Sequence, residues 1–261
     1  MRRPIGIFDS GVGGLSVARE IRRALPAEDI VYVADTAYCP YGDRPEGEVR
    51  ERSLAVGRHL EKAGAKLLVT ACNTATGAAL ESLRATLTIP VVGLEPAVKT
   101  GVAVTRNGKV GVMATSGTVR SERFTRLVKA HANGALIMPQ PCPGLADLIE
   151  QGHLEGDVLR ARLEELTEPL KRAGVDTVVL GCTHYPFVSG PLGKVLGPDV
   201  QLIDSAPAIA RRTDHLLREG AIGEGSGEGT IRVLTTGDPD AVAPVVRRLW
   251  GEPLPVEAVK I

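Results

Sequence analysis

The chain has 261 residues, of which 43% are hydrophobic and 24% charged, and its 31 basic and 31 acidic side chains give a net charge of zero. The balanced charge argues against nucleic acid or an anionic membrane surface as the main partner. No apolar run approaches the roughly 18 residues of a transmembrane helix. The N-terminus passes directly into a strand-like segment and shows no signal peptide, so we expect a cytoplasmic location.

The alternation of short apolar runs with amphipathic helical patterns predicts an α/β fold. In chain order, strands are predicted at residues 5–8, 30–34, 66–70, 90–92, 109–113, 135–138, 177–180, 200–203 and 230–235. Helices fit between them, for example at residues 46–63, 156–173 and 241–249, and residues 223–229 form a glycine-rich linker. Because nearly continuous apolar strands joined by helices indicate sheets covered on both faces, we expect mostly parallel sheets.

An internal repeat predicts that the chain forms two similar α/β domains. Residues 8–11 (FDSG) are echoed by residues 114–117 (ATSG), residues 68–74 (LVTACNT) by residues 178–184 (VVLGCTH), and residues 95–98 (EPAV) by residues 205–209 (SAPAI). The echoes occur in one order at nearly one spacing, and chance similarity among small residues is the alternative explanation. The repeat places Cys72 and Cys182 at equivalent positions, facing each other across the cleft between two pseudo-symmetric domains.

Two of the four cysteines stand where a parallel sheet places its active site. Cys72 and Cys182 each follow a predicted strand and precede a predicted helix. The carboxyl ends of parallel strands carry the site, and a helix N-terminus lowers the pKa of a thiol. A single such cysteine is more often a small core residue, but two at equivalent strand ends favour a reactive pair. Cys39 and Cys142, each next to a proline, are expected to be structural, and a zinc site built from the four cysteines is disfavoured.

The residues beside these cysteines are polar. Asn73, Thr74 and Thr183 are good helix-capping residues, but their donors could also hold a carboxylate. His184 is either a surface histidine or an acid/base or orienting partner for the thiol of Cys182.

The glycine-rich residues 9–14 (DSGVGG) suggest at first a dinucleotide-binding loop, with Asp35 after the second strand. That interpretation fails because Ser16 stands where the motif requires glycine and Asp9 would repel a pyrophosphate. Asp9 instead suits an ammonium group or proton transfer, and the glycines could simply allow close packing. Residues 35–42 (DTAYCPYG) hold two of the four tyrosines and either line a ligand site or pack over the sheet edge.

Together these segments resemble the glutamate racemase family, whose members interconvert L-glutamate and D-glutamate without a cofactor. The resemblance extends from residue 5 to about 215 and depends on residues 6–14, 35–42, 71–74 and 181–186, with a looser match at 141–150. It implies a role in supplying D-glutamate for peptidoglycan, a small-molecule substrate, and neither metal nor cofactor. It also implies a first domain of residues 1–97 with 208–261 and a second of residues 98–207.

Site residues follow from the same resemblance, position by position. The implied catalytic residues are the thiols of Cys72 and Cys182, with Asp9, Glu150 and His184 as acid/base helpers; an exposed helical glutamate is the alternative for Glu150. The implied substrate contacts are Asp9, Ser10, Tyr41, Gly42, Asn73, Thr74, Thr183 and His184, with Thr115 and Thr118 as further candidates.

Three other functions are compatible with parts of the sequence. Aspartate racemase shares the chemistry, a cysteine hydrolase could use Cys182 with His184, and a non-catalytic amino-acid binder would need neither cysteine. Some family members carry an N-terminal extension linked to activation by a peptidoglycan precursor. Only four residues precede the first predicted strand here, so we expect activity without such an activator. Whether the chain forms a homodimer is left open.

Overall fold

The computed structural model describes residues 3–220 and 227–261, so residues 223–226 of the predicted linker lie outside the described residues. The strands are β1 Ile5–Asp9, β2 Ile30–Ala34, β3 Leu67–Thr70, β4 Val91–Gly93, β5 Lys109–Ala114, β6 Leu136–Pro141, β7 Thr177–Gly181, β8 Gln201–Ile203, β9 Ile231–Thr235 and β10 Val256–Ala258. The α-helices are α1 Leu15–Ala24, α2 Glu46–Lys62, α3 Asn73–Thr86, α4 Val98–Val104, α5 Ser116–Arg120, α6 Glu122–His131, α7 Leu145–Glu150, α8 Asp157–Ala173, α9 Ser189–Leu196, α10 Ala206–Glu219 and α11 Pro239–Trp250. None of the helices in these two ranges is long and apolar enough to cross a membrane.

The described strands form two parallel sheets. The first has the order β10-β9-β2-β1-β3-β4 and the second β6-β5-β7-β8. Neighbouring strands are parallel throughout. The order β2-β1-β3-β4 recurs as β6-β5-β7-β8, which confirms that the sequence echoes mark a structural repeat. In this correspondence β3, which precedes Cys72, matches β7, which precedes Cys182.

Both faces of the central strands are buried, as the apolar runs of the sequence predict. In β1 every residue is buried. Ile5 and Ile7 pack into one core cluster with α1 and α10, whereas Phe8 packs into another with α2 and α3. Side chains alternate between the faces of a strand, so an uninterrupted apolar strand serves two cores at once. The buried side chains each contribute about 1.5–3 kcal/mol of hydrophobic stabilisation.

The chain crosses from one sheet to the other and back. The second sheet takes its strands from residues 109–203, whereas the first combines β1 to β4 with β9 and β10 from the end of the chain. We propose domain limits of 1–97 with 208–261 and 98–207, since these limits assign each sheet to one domain.

Candidate active site

One cavity of about 280 Å³ lies at the carboxyl ends of strands from both sheets. A larger cavity of about 790 Å³ lies elsewhere, but it contains no predicted site residue. The smaller cavity therefore carries the candidate chemistry, and both predicted cysteines line it. Its lining is Asp9, Ser10, Pro40, Tyr41, Gly42, Cys72, Asn73, Thr74, Thr115, Ala146, Cys182, Thr183 and His184.

Cys72 connects β3 to α3 and acts as the N-cap of that helix. Its sulfur accepts a hydrogen bond from the backbone N–H of Ala75 at 3.5 Å, and its thiol faces the Ser10 hydroxyl at 3.9 Å. Burial raises the pKa of Cys72 well above its usual value, and the carboxylate of Asp9 raises it further. The hydrogen bond from Ala75 at the helix N-terminus lowers the pKa of Cys72, but this effect is smaller than that of burial.

Cys182 directly follows β7 but does not cap an α-helix. A short 3-10 helix, Tyr185–Val188, follows it, and α9 begins only at Ser189, so the predicted helix N-terminus at Cys182 is wrong. The neighbour of the thiol is instead His184, whose Nδ1 lies 3.5 Å from the sulfur.

His184 links Cys182 to Glu150. The imidazole Nε2 lies 2.5 Å from Glu150 Oε1. Burial alone would lower the pKa of His184, but the contacts with Cys182 and Glu150 outweigh it and raise that pKa well above its usual value. Only 18% of the Glu150 side chain is exposed, so the alternative interpretation of Glu150 as an exposed helical glutamate is wrong. Thiol, imidazole and carboxylate thus form a row in which a proton can move.

Asp9 is fully buried at the end of β1. Its carboxylate accepts hydrogen bonds from the backbone N–H groups of Ser10 at 2.7 Å and Gly14 at 2.6 Å. The hydroxyl of Thr183, on the second sheet, donates to the same carboxylate at 3.1 Å. Burial raises the pKa of Asp9, and the charge of His184 offsets part of that shift. The carboxylate of Asp9 therefore raises the pKa of Cys72, which follows a strand of the first sheet, while it accepts a hydrogen bond from Thr183, which follows a strand of the second sheet.

The glycine loop after β1 allows close approach, as one of the two sequence interpretations predicts. A Cβ atom at Gly11 would overlap the carboxylate of Glu150, and one at Gly13 would overlap the imidazole of His184. The backbone N–H of Val12 donates to Glu150 Oε1 at 2.7 Å. Only glycine therefore lets the loop reach the residues that support Cys182.

A tyrosine that the sequence interpretation missed supports this loop. The buried hydroxyl of Tyr32, in β2, donates to the Gly11 carbonyl at 2.6 Å. The one available signal was a polar aromatic residue inside an otherwise aliphatic strand.

The tyrosine loop after β2 has two roles. Tyr41 lines the cavity and its hydroxyl donates to Asp35 at 2.5 Å, whereas the ring of Tyr38 stacks 4.0 Å from the guanidinium of Arg52. Arg52 also binds Asp35 at 2.7 Å. Asp35 is therefore part of a structural network, which agrees with the rejection of a dinucleotide site.

The remaining predicted contacts form the floor of the cavity. The side-chain carbonyl of Asn73 is buried without a hydrogen-bond partner. The hydroxyl of Thr74 bonds to those of Thr115 at 2.8 Å and Thr118 at 3.2 Å. Thr115 lines the cavity, while Thr118 lies behind it. An unpaired buried acceptor is costly, so Asn73 is poised to receive a donor from a ligand.

The described lining residues include no lysine, so they cannot form a Schiff base with pyridoxal phosphate. They supply two thiols, an imidazole, a carboxylate and several neutral donors. This set can move protons and hold a small charged molecule.

The fold and the cavity place the protein in one structural class. Its members have two parallel α/β sheets with the same strand order, and each sheet carries a cysteine at the equivalent strand end. Residues 5–213 match the family described as Asp/Glu/Hydantoin racemase, and the chain belongs to this family.

Known relatives are similar to this protein over almost the whole length of the chain. The glutamate racemase of Pseudomonas paraeruginosa is 47% identical over 249 residues, covering 95% of this chain and 94% of the relative. A glutamate racemase isoform from Bacillus anthracis superposes with a TM-score of 0.91 at 35% identity, covering 99% of this chain and 98% of the other. Escherichia coli glutamate racemase, solved with L-glutamate and the activator UDP-MurNAc-ala, has a TM-score of 0.88 at 35% identity, covering 98% and 97%.

Proposed function

We propose that the protein is a glutamate racemase that interconverts L-glutamate and D-glutamate and so supplies D-glutamate for peptidoglycan. The observation that carries this proposal is the pair of cysteines, Cys72 and Cys182, at equivalent strand ends on one cavity. The similarity to glutamate racemases over nearly the full chain supports the same substrate. All four cysteines are free, which suits a cytoplasmic location.

Racemisation requires one group to take the α-proton and another to return a proton to the opposite face. In one direction, Cys182 accepts the α-proton after its own proton has passed to His184. The C–H electron pair stays on the α-carbon as a carbanion. Cys72 then donates its thiol proton to the other face, and the carbanion pair forms the new C–H bond. The reverse direction exchanges the two roles.

Each thiol has its own supporting carboxylate in this mechanism. The proton of Cys182 moves along the row formed with His184 and Glu150. Cys72 keeps its proton because burial and Asp9 raise its pKa, which suits the role of proton donor. Once Cys72 has lost that proton, a proton from solvent must restore it, and Asp9, whose pKa is also raised, can take up that proton and pass it on.

The neutral donors have to stabilise the carbanion, because the α-proton is far less acidic than a thiol. We assign the α-carboxylate to the donors of Thr74 and Thr183 and the ammonium group to Asn73 Oδ1, Ser10 and Asp9. Hydrogen bonds that strengthen as charge spreads onto the α-carboxylate lower the barrier. The unpartnered carbonyl of Asn73 supports the ammonium assignment.

The alternatives explain fewer of these features. Aspartate racemase is not favoured, because the similar relatives named above are glutamate racemases. A cysteine hydrolase would use Cys182 and His184 but would leave Cys72 without a role.

Exchange with deuterated water tests the proposal. Incubating the enzyme with L-glutamate in D2O should place deuterium on the α-carbon of the D-glutamate formed, measured by mass spectrometry after chiral separation. If neither enantiomer gains deuterium and the optical rotation stays constant, the protein is not a racemase acting on glutamate.

A further inference from the structure

A cluster of three metal-binding side chains lies behind His184, on the side away from Cys182. Within the described residues, the ligand atoms of Cys39, Glu150 and His184 all lie within 4.8 Å of one another. His184 Nε2 faces this cluster at 2.5 Å from Glu150 Oε1, while Nδ1 faces Cys182. Cys39 is absent from the cavity lining, and the proposed racemisation does not use it.

The three side chains are the ligand types that zinc prefers. Thiolate, imidazole and carboxylate bind zinc at about 2.0–2.3 Å, so the ligand atoms of a tetrahedral site lie roughly 3.3–3.7 Å apart. To bind zinc, His184 Nε2 and Glu150 Oε1 must move apart by about 1 Å from their 2.5 Å contact, and Cys39 must lie within the same range of both. Cys39 and Glu150 are partly exposed, which gives an ion a path to the cluster and the side chains room to move.

The surroundings of the cluster already hold its ligands in place. The backbone N–H of Val12 donates to Glu150, and the sulfur of Cys182 holds the second ring nitrogen of His184. Such outer contacts orient the ligands of known metal sites. The carboxylates of Glu150 and Asp9 place negative charge around Cys39, so these surroundings favour a cation over a second anion.

We propose that Cys39, His184 and Glu150 form a binding site for Zn²⁺, with water as the fourth ligand, and that zinc bound there inhibits the enzyme. Binding replaces the thiol proton of Cys39 and the proton on His184 Nε2, so protons are released and affinity increases with pH. Zinc on Nε2 stops His184 from taking the proton of Cys182 and removes Glu150 from the row. The inhibition rests on the proposed racemisation, whereas the binding does not.

Metal binding is measured first, on reduced, metal-free protein. Titration calorimetry with ZnCl2 should give one ion per wild-type chain, and C39S should bind at least tenfold more weakly. Co²⁺ should give a thiolate charge-transfer band in the near ultraviolet that C39S lacks. The matched controls are C142S, whose cysteine is buried outside the cavity, and C72S, which lacks a cavity thiol; both should retain the band.

Activity is measured second. Zinc should inhibit wild-type racemisation, a chelator should restore it, and C39S should racemise normally but need at least tenfold more zinc for the same inhibition. If C39S binds zinc as tightly as the wild type, the ion sits on Cys72 and Cys182 and the proposal is wrong. If wild-type protein binds no zinc, it is equally wrong. If the protein binds zinc through Cys39 but does not racemise glutamate, the zinc site is confirmed and the proposed function is wrong.

Discussion

Cys72 and Cys182 occupy equivalent strand ends but have different neighbours. Cys72 faces a hydroxyl and a buried carboxylate, whereas Cys182 faces an imidazole that is itself bound to Glu150. The difference comes from the residues that follow each cysteine, asparagine and threonine in one case and threonine and histidine in the other. The two thiols therefore have different partners with which to exchange a proton.

Replacing either thiol should stop turnover. In C72A and C182A, racemisation should fall by at least about 10²–10⁴-fold, because each full proton exchange uses both groups. The measurement is the circular dichroism of glutamate over time, with the far-ultraviolet spectrum of the protein as a check on folding. C142A should keep normal activity. Substantial racemisation by C72A or C182A would contradict the two-thiol mechanism.

Glu150 should set the pH range of activity through His184. In E150Q, the pKa of His184 should fall because a charge that raises it is gone. The alkaline limb of the kcat/KM profile should move to lower pH, and kcat should decrease roughly 10- to 100-fold. An alkaline limb that stays in place would show that Glu150 does not act on the imidazole.

The same contact makes stability depend on pH. The folded-state pKa of His184 is raised, so its stabilising contribution is complete below the unfolded value of about 6.5 and is lost as pH rises through the folded value. The difference in unfolding free energy between wild type and H184N should therefore decrease from pH 6 towards alkaline pH. Chemical denaturation at several pH values measures it, and a difference that grows with pH would contradict the direction of the shift.

Some features of the site could be predicted from the sequence and others could not. Asp9, Cys72 and Cys182 follow strands, and parallel strands bring their carboxyl ends to one edge. The contact between His184 and Glu150 joins separate elements 34 residues apart, so no local pattern indicates it. The lowering effect of the helix N-terminus on the pKa of Cys72 was predicted, but the larger effect of burial was not, because burial depends on all the elements around the thiol.

At the scale of elements, the loop between β1 and α1 is the part of the fold that supports Cys182. It holds Glu150 through Val12 and leaves space for His184 at Gly13, while Tyr32 fixes its position from β2. The strands of the repeat were predicted to within a few residues because apolar runs are a strong signal. β10 was missed because it has only three residues, one of them Glu257, and pairs with β9 alone among the described strands.

A methyl group in this loop should damage catalysis more than stability. In G13A, the new Cβ overlaps the imidazole of His184, which must move away from Cys182. We expect a loss in kcat of roughly 100-fold, since small misplacements of catalytic groups are costly. The matched control is G47A, on the exposed start of α2 with no atom within 4 Å of the new Cβ. G47A should keep its activity and gain about 0.4–1 kcal/mol of stability, and equal activity in the two variants would disprove the role of the loop.

At the scale of the whole molecule, the two halves are joined by direct contacts outside the lining of the active-site cavity. Arg123, in α6, pairs with Glu95 at 2.6 Å and with Glu81 of α3 at 3.0 Å. The hydroxyl of Ser205 donates to the Glu95 carbonyl at 2.8 Å. These contacts keep the two sheets in the relative position that the cavity requires.

Loosening this junction should weaken substrate binding more than chemistry. Partly exposed ion pairs contribute about 0.2–1 kcal/mol each, so R123M should raise KM for glutamate by up to roughly fivefold with kcat nearly unchanged. The matched control is R126M, whose partner Glu122 lies in the same helix. Steady-state kinetics in both directions measure the effect. A KM that rises equally in the two variants would point to general charge loss and not to the junction.

The unequal surroundings of the two thiols are subject to a thermodynamic constraint. L-Glutamate and D-glutamate are mirror images with the same free energy in water, so their equilibrium constant is unity. The Haldane relation then requires kcat/KM to be equal in the two directions, whatever surrounds each cysteine. The histidine on one side and the aspartate on the other can make kcat differ between enantiomers only if KM differs by the same factor. A substitution such as E150Q must therefore lower both directions of kcat/KM together, even though Glu150 stands beside only one of the two thiols.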